Sequence, residues 1–339
     1  MLTITDLEGI QSPLTKHGIL ENSFEINTVP DLFFDVTRTK ENKQTFDMIA
    51  ERGLVTEVES DQLYRIVMYT CYGSGDSYGY NVQCVHVLQD LNNYRIEDEL
   101  RGPQTLKNCM DFIVKNTPFS YEIIGSFPTY DFDSLGNDFA LNLFLNSVLV
   151  NFKAEFTVNN YRITIQQKIG IEEAFVFRDG FNINKLSYVN DSTNLATRIT
   201  GDGKSGDNGN PVVTVTYTSP NAEVYGIIDA DRYSDDAITM QSTLLAELKE
   251  NLQDVPDIQI TLDYVQFTKG NIQELGIEKV DLGNSGYIKG KNIAIYSRIQ
   301  KITKYPQSTK TPVISINSIK GSLSKTMSKI KTSAKGVRI

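Results

Sequence analysis

Apolar and polar residues alternate along much of the first hundred positions, with the period of a half-buried β-strand. Residues 63–68 and 80–85 show this alternation, and the apolar run 32–36 is typical of a buried strand. A glycine-rich turn at 73–76 separates the two alternating segments. We therefore predict a β-rich domain over residues 1–100.

A helical period replaces the strand period in the next segment. Apolar residues recur on one helical face over 106–113, where Thr105 is a candidate N-cap, and again over 141–152. Two alternating segments follow directly and are joined by Asn159-Asn160, since asparagine tolerates the positive φ of a tight hairpin. This pattern predicts an α/β domain with a helix-plus-hairpin unit over residues 101–170.

The second half returns to strand patterns and contains one longer helix. We predict a β-rich domain over 171–235, a helix-plus-hairpin domain over 236–319 and a flexible basic tail over 320–339. The helix spans 239–252, and five apolar residues are predicted to share one face: Met240, Leu244, Leu245, Leu248 and Leu252. The predicted fold class is α+β, with several barrel-like or sandwich-like β-rich domains around the helix-plus-hairpin segment.

Charge is distributed unevenly along the chain. Residues 282–339 hold twelve Lys or Arg and no Asp or Glu, whereas residues 1–281 hold all 42 acidic residues. Such a split favours contact between the two parts or a basic tail that binds an acidic partner. The tail lacks interleaved aromatic residues, so we do not expect it to bind nucleic acid. The candidate partner-binding residues are Lys320, Lys325, Lys329, Lys331, Lys335 and Arg338.

Cysteine use and hydropathy narrow the class of protein. Cys71, Cys84 and Cys109 are widely spaced and form no C-x-x-C pair, which argues against a disulfide framework or a zinc site. The sequence shows no apolar run of membrane-helix length and no secretory signal at its start. We expect a chain that folds in a cytoplasm and is not inserted in a membrane.

Histidine-based chemistry has few candidates, because His17 and His86 are the only histidines. Cys84 lies two residues before His86 on the same predicted strand face, so contact between them is possible. Buried or solvated residues are the more common outcome for such a pair.

Other polar clusters have ordinary structural explanations. The loop 201–210 contains Gly203-Lys204-Ser205, yet it lacks the earlier glycine and the following helix of a phosphate loop, and it lacks EF-hand calcium spacing. Carboxylate pairs occur at 172–173, 229/231 and 235–236, beside turns or a helix start where acidic residues are favoured. We predict no catalytic, cofactor-binding or metal-binding residue and no enzyme activity.

Several short motifs give a resemblance to a known family. The turn Leu282-Gly283-Asn284 precedes an alternating strand, and Arg298-Ile299 lies late in the next one. Together with Tyr64-Arg65-Ile66 and the segments 182–186 and 194–198, this layout resembles the tail-tip hub proteins of bacterial viruses, the prophage tail-endopeptidase family. The family shows an aspartate where this chain has Asn284, and asparagine also suits the turn.

The resemblance implies a baseplate-hub-like fold and a structural subunit at the virion tail tip, assembled in the bacterial cytoplasm. It implies a homotrimer that closes the tail tube and contacts a distal tail protein, a tape-measure protein and a downstream fibre or lytic protein. The alternative is a peptidoglycan endopeptidase or another cell-wall hydrolase of the phage tail. No residue of this sequence carries that activity by motif, and no cofactor is implied.

Overall fold

The computed structural model describes residues 1–75, 77–206, 209–264, 280–290 and 294–318. The chain divides into two compact units. The first comprises Met1–Lys185, Leu262–Lys289 and Arg298–Ser315, and the second comprises Leu186–Thr261, Gly290–Ser297 and Ile316–Ile339. The predicted α+β class with several β-rich sheets is confirmed.

An antiparallel sheet forms the start of the first unit, and its strands run in the order β3-β4-β7-β6-β5-β1-β2. Inward side chains alternate along each strand and meet in one core, which includes the fully buried Phe34, Tyr64 and Ile66. The elements are β1 Leu2–Thr5, β2 Gln11–Leu14, β3 Leu20–Glu25, β4 Asp31–Thr37, α1 Lys43–Phe46, β5 Leu54–Glu57, β6 Gln62–Ser74 and β7 Ser77–His86.

A 3₁₀ segment, Val87–Asn93, leads from this sheet into the helix-plus-hairpin part of the same unit. The elements that follow are β8 Arg95–Gln104, α2 Leu106–Ile113, β9 Ser120–Ile124, β10 Tyr130–Phe139, α3 Ala140–Asn142, α4 Leu149–Asn151, β11 Glu155–Asn159 and β12 Arg162–Gln166. The strands β8 and β10 form a two-stranded ribbon, and β11, β12 and β9 form a three-stranded sheet. As predicted, Thr105 caps α2, with its hydroxyl oxygen accepting from the Asn108 amide at 3.2 Å.

The helix predicted over 141–152 is not a regular α-helix. Residues Leu143–Val148 between α3 and α4 are π-helical, and this wider turn shifts which side chains face the core. The 3.6-residue period predicted an apolar face that includes Phe144 and Leu145 but not Leu143; instead Leu143 is buried and Leu145 is only half-buried.

Nine further strands and two helices complete the described chain. They are β13 Phe175–Arg178, β14 Ile183–Asp191, β15 Arg198–Asp202, β16 Thr214–Thr218, α5 Ala222–Tyr225, β17 Tyr233–Ser234, α6 Gln241–Asn251, β18 Asp257–Tyr264, β19 Ser285–Lys289, β20 Ala294–Lys304 and β21 Val313–Ser318. In the first unit β13 pairs in parallel with β19. The end of β20 pairs antiparallel with β3, so that Ile302 lies opposite Phe24.

The second unit contains the small sheet β16-β15-β17 with α6 packed against it. Leu244, Leu248 and Leu252 enter this core as predicted. Met240 does not, because it lies before the first turn of α6 and is 62% exposed. Among the described residues, none of the helices combines the length and apolar character needed to cross a bilayer.

Candidate functional site: a buried arginine junction

Arg298 lies on β20 with only 6% of its surface exposed, although arginine is rarely buried without a partner. Its guanidinium group faces Glu155, the first residue of β11. Nη1 donates to Oε1 at 2.6 Å, and Nη2 donates to Oε2 at 2.5 Å. The pair therefore has the bidentate geometry that matches a planar guanidinium group to a carboxylate.

Two backbone carbonyl groups accept further hydrogen bonds from this guanidinium group. Nε donates to the Gly283 carbonyl oxygen, and Nη2 donates to the Ile169 carbonyl oxygen, each at 2.8 Å. The Ile169 amide donates in turn to Oε2 of Glu155 at 2.7 Å. Because a buried charge is costly unless its partners are in place, these hydrogen bonds stabilise the buried position of Arg298.

The carbonyl groups are placed by two glycines in left-handed conformations. Gly283 has φ +79° and Gly170 has φ +89°. A Cβ atom on Gly283 would lie 2.5 Å from Cγ1 of Ile169, and one on Gly170 would lie 2.2 Å from the carbonyl carbon of Gly283. Both positions therefore need glycine for conformation and for close backbone approach.

Asn284 fixes the other side of this turn. Its side-chain oxygen accepts from the Ile171 amide at 2.8 Å, and its carbonyl oxygen accepts from the Ile299 amide at 2.9 Å. The Gly283 amide donates to the Ile299 carbonyl oxygen at 3.0 Å. The amide oxygen of Asn284 thus accepts the hydrogen bond that a carboxylate could accept, without burying a further charge.

The contacts among Arg298, Glu155, Ile169 and Gly283 are called the junction below. The junction connects three separate segments of the first unit: the hairpin strand β11, the connection around residues 169–171, and the Gly283 turn with β20. The sequence motifs identified the Gly283 turn and Arg298, but they did not identify Glu155. The available signal was physical and weak, because an arginine on an alternating strand requires a carboxylate partner only if its side chain turns toward the core. Sequence could not say which of the many acidic residues it is.

The motif Tyr64-Arg65-Ile66 contains a second paired arginine. Arg65 Nη2 donates to Oδ2 of Asp90 at 2.5 Å, and Arg52 Nη2 reaches Oδ1 of the same residue at 3.3 Å. Asp90 is 7% exposed and belongs to the 3₁₀ segment. Arg65 therefore connects β6, and Arg52 connects the turn before β5, to the segment that leads into the β8–β10 ribbon.

The tip of the β11–β12 hairpin is also fastened to β6. Asn160, which has φ +50°, occupies the turn as predicted. Its side chain accepts from the Leu63 amide at 2.7 Å and donates to the Asp61 carbonyl oxygen at 2.8 Å. Its own amide donates to Oε1 of Gln62 at 3.2 Å. Asn160 therefore joins two parts of the first unit in addition to turning the chain.

The segment 194–198 ends in a third arginine, which lies on the exposed surface of the second unit. Arg198 donates through Nε and Nη2 to the two oxygens of Asp229, at 2.5 and 2.7 Å. This pair borders an open pocket of ≈ 470 Å³ that is lined by Arg198, Thr200, Thr216, Asp229, Ala230 and Arg232. Arg232 is paired as well, with Asp202, so the guanidinium groups in the pocket are already neutralised.

The Cys84 and His86 side chains are positioned for structure rather than for nucleophilic chemistry. His86 Nδ1 accepts from the Leu88 amide at 3.1 Å, and Nε2 lies 3.2 Å from Oε1 of Gln62. Burial lowers the pKa of His86 to about 4, so the ring is neutral near pH 7. Burial also raises the pKa of the Cys84 thiol far above its ordinary range, which suppresses the reactive thiolate.

The candidate carboxylates of the second unit hold local structure. Asp229 pairs with Arg198, and Asp235 Oδ1 accepts from the Ala237 amide at 2.9 Å. Asp236 Oδ1 accepts from the amide and hydroxyl of Ser205, at 3.1 and 2.9 Å. Ser205 is thereby engaged with a carboxylate, which leaves it unsuited to cradle a phosphate.

Two sets of predicted residues fall beyond the described part of the chain. Positions 207–208 of the 201–210 loop are one set, and the six basic residues of the tail are the other. Within the residues that the structure does describe, no group of three or more His, Cys, Asp or Glu side chains could hold a metal ion.

Two family models match the sequence in consecutive segments. The prophage endopeptidase tail model matches residues 171–327, and the prophage endopeptidase tail domain model matches residues 93–165. Glu155 lies in one matched segment, and Gly283 and Arg298 lie in the other, so the ion pair joins the two. No curated protein sequence matches the chain.

Solved structures of similar fold extend over nearly the whole chain. The prophage tail protein gp18 from Listeria monocytogenes is 21% identical, with a TM-score of 0.74 over 98% of this chain and 99% of that one. A 43 kDa prophage MuSo2 tail protein from Shewanella oneidensis is 10% identical, with a TM-score of 0.66 over 94% and 98%. An Escherichia coli type VI secretion component, described as similar to the T4 tail proteins gp27 and gp5, is 10% identical, with a TM-score of 0.53 over 95% and 77%.

Proposed function

Because this chain is a phage tail protein with prophage endopeptidase tail domains, we propose that it is the baseplate hub subunit that closes the tail tube at the tail tip. The observation that supports the proposal is the match of 98% of this chain to the fold of a prophage tail protein, of whose chain 99% is covered. A chain that shared only one domain with tail proteins would not favour a hub in this way.

The hydrogen bonds and ion pairs of the first unit support a structural role. In the first unit, the Arg298–Glu155 pair, the Arg65–Asp90 pair and the Asn160 contacts each connect segments far apart in sequence. Buried ion pairs with full hydrogen bonding favour one arrangement of the packed parts over others. A ring subunit that must hold its shape against neighbouring tail proteins benefits from such fixed connections.

The proposed partners follow from a hub position. We propose a homotrimer, with a distal tail protein on one side, a tape-measure protein inside the tube, and a fibre or lytic protein downstream. Each contact between copies should bury ~1,000 Å² or more, as stable interfaces do. The proposed location is the virion tail tip, after assembly in the bacterial cytoplasm.

Light scattering on the purified chain tests the oligomer directly. The expected mass is three times that of the 38.1 kDa chain. Antibody labelling of intact tail particles in electron micrographs should place the protein at the end distal to the capsid. Labelling along the tube, or a chain that stays monomeric even with the neighbouring tail proteins present, would contradict the hub assignment.

The hydrolase alternative has a separate test. Zymography on purified cell walls should show no cleared band for this chain. A cleared band would establish a hydrolase activity and contradict a purely structural role.

A further inference from the structure

The small sheet of the second unit has one face toward α6 and one polar face. A Cβ atom on Gly201 would lie 2.6 Å from Cδ2 of Leu248, so Gly201 in β15 faces α6. Because side chains alternate along a strand, Arg198, Thr200 and Asp202 point away from α6. Their antiparallel partners in β16 are Thr218, Thr216 and Thr214. The face opposite α6 is therefore polar across both strands.

The pocket on this face is bordered by two arginine–aspartate pairs whose positions are fixed by the backbone. Arg198 donates through Nε and Nη2 to both oxygens of Asp229, and Arg232 donates through the same two nitrogens to both oxygens of Asp202. The Arg198 amide donates to the Ile228 carbonyl oxygen at 2.9 Å, and the Arg198 carbonyl oxygen accepts from the Ala230 amide at 2.8 Å. A site that is ordered in advance loses little conformational entropy on binding.

Both pairs keep hydrogen-bonding capacity for a ligand. A guanidinium group carries five N–H donors. Arg198 and Arg232 each donate two hydrogen bonds among the described residues, so most of their donors remain available. Each oxygen of Asp229 accepts one of these bonds and has a second lone pair, and the side chain is 62% exposed. The pocket therefore offers donors and acceptors side by side.

The pairing also leaves the pocket without a net charge. Hydrogen bonds from Arg198 lower the pKa of Asp229, and those from Arg232 lower the pKa of Asp202 to about 2. Both carboxylates therefore stay ionised near pH 7 and balance the two guanidinium groups. An anion would meet two carboxylates as well as two arginines. The pocket thus favours a neutral ligand that both donates and accepts hydrogen bonds.

We propose that this pocket binds a neutral saccharide through neighbouring hydroxyl groups. A hydroxyl group both donates and accepts, so two adjacent hydroxyls of a sugar ring can accept from Arg198 and donate to Asp229. The hydroxyls of Thr200 and Thr216, 2.9 Å apart on the pocket wall, offer a second polar contact. The volume of ≈ 470 Å³ is in the range of small-ligand sites. This binding does not require the tube-closing role.

Saturation-transfer NMR on the full-length chain tests the proposal. The probes are the methyl glycosides of glucose, galactose, mannose, rhamnose and N-acetylglucosamine, each at millimolar concentration. None of the six residues that line the pocket is aromatic, so stacking adds nothing and the affinity should be weak, with a Kd of ~1 mM. The expected result is transfer of saturation to the ring protons of at least one glycoside, with a Kd from its titration.

Two variants test whether the sugar lies in this pocket. Arg198→Lys keeps the positive charge but loses the planar set of donors, and Asp229→Asn keeps the size but loses the charged acceptor. Each should weaken binding about tenfold or more, the effect of losing a hydrogen bond to a charged group. Arg162→Lys, in the exposed Arg162–Glu122 pair of the first unit, is the matched control and should leave the Kd unchanged. Circular dichroism on each variant checks that the fold is intact.

Inorganic phosphate distinguishes a saccharide site from an anion site. Asp229→Asn should weaken saccharide binding, but it should strengthen the binding of phosphate to Arg198, because a neighbouring negative charge is removed. The proposal is wrong if none of the glycosides receives saturation. It is equally wrong if Arg198→Lys and Asp229→Asn leave the Kd unchanged, which would place the sugar elsewhere. Phosphate binding that Asp229→Asn strengthens, without saccharide binding, would assign the pocket to an anion.

Discussion

Removal of the Glu155 charge should destabilise the first unit strongly, because it leaves the Arg298 guanidinium group buried without a counter-ion. The side chains of Arg298 and Glu155 are 7% and 15% exposed, so water cannot replace the lost partner. Breaking one side of a buried ion pair typically costs about 3–5 kcal/mol. We expect Glu155→Gln to lower the free energy of unfolding by that amount.

An exposed pair provides the matched control. Arg162 and Glu122 are joined at 2.7 Å, but their side chains are 63% and 47% exposed. Surface pairs contribute about 0–1 kcal/mol, so Glu122→Gln should have little effect. The double variant Glu155→Leu/Arg298→Met should recover only part of the loss, because it removes both charges together but leaves the Ile169 amide and the Gly283 and Ile169 carbonyl groups without these partners.

Urea unfolding followed by circular dichroism measures all of these variants. Hydrogen exchange adds a local readout, because the Ile169 amide donates to Glu155 and should lose protection in Glu155→Gln. Equal losses of stability for Glu155→Gln and Glu122→Gln would refute the reasoning. A double variant that is less stable than either single change at the junction would also contradict it.

Further predictions concern the turn, the pH response and the hairpin tip. Gly283→Ala should lower the free energy of unfolding, measured in urea, by about 1–3 kcal/mol or more, because a Cβ atom there would meet Ile169. Gly180→Ala is the control: Gly180 has φ +76° but open space around it, so the change should cost only the backbone strain of a positive φ. Burial lowers the pKa of His86 from 6.5 to about 4, so the unfolded chain binds more protons over that range. The free energy of unfolding should therefore be highest above pH 6.5 and fall by about 3 kcal/mol as the pH drops toward 4. His86→Gln should flatten this dependence on pH, measured by urea titrations at each pH. Asn160→Gly keeps the positive φ but loses two hydrogen bonds to backbone groups, and should lower the free energy of unfolding by about 1–3 kcal/mol; no loss would show that Asn160 only turns the chain.

Local elements were largely predictable from the sequence because their signals are local. The Thr105 cap, the Asn160 turn and the alternating strands β6 and β7 follow from side-chain chemistry within a few residues. The predicted buried face of the helix over 141–152 was wrong in detail, because a π-helical stretch changes the helical period. The prediction assumed a constant period of 3.6 residues. The prediction that Met240 lies on the buried face was wrong, because its apolar character does not decide where α6 begins.

The junction was only half predictable. The Gly283 turn and Arg298 stood out in the sequence, since a left-handed turn favours glycine and the Arg298-Ile299 pair resembles the family's motif. Their partners, Glu155 and the Ile169 carbonyl group, are more than a hundred residues away from Arg298. Such a pairing depends on which strands become neighbours, and no local pattern encodes it.

The sequence by itself determined the strand and helix periods, the β-rich class, the separation of acidic and basic charge, and the scarcity of histidine. These properties depend on residue type and short-range spacing. Only the tertiary structure decided which carboxylate neutralises Arg298, that Asn160 fastens two parts of one unit, and that Arg198 and Arg232 line one pocket. Those outcomes depend on long-range packing, in which burial makes a single hydrogen-bond partner indispensable and chain topology selects it.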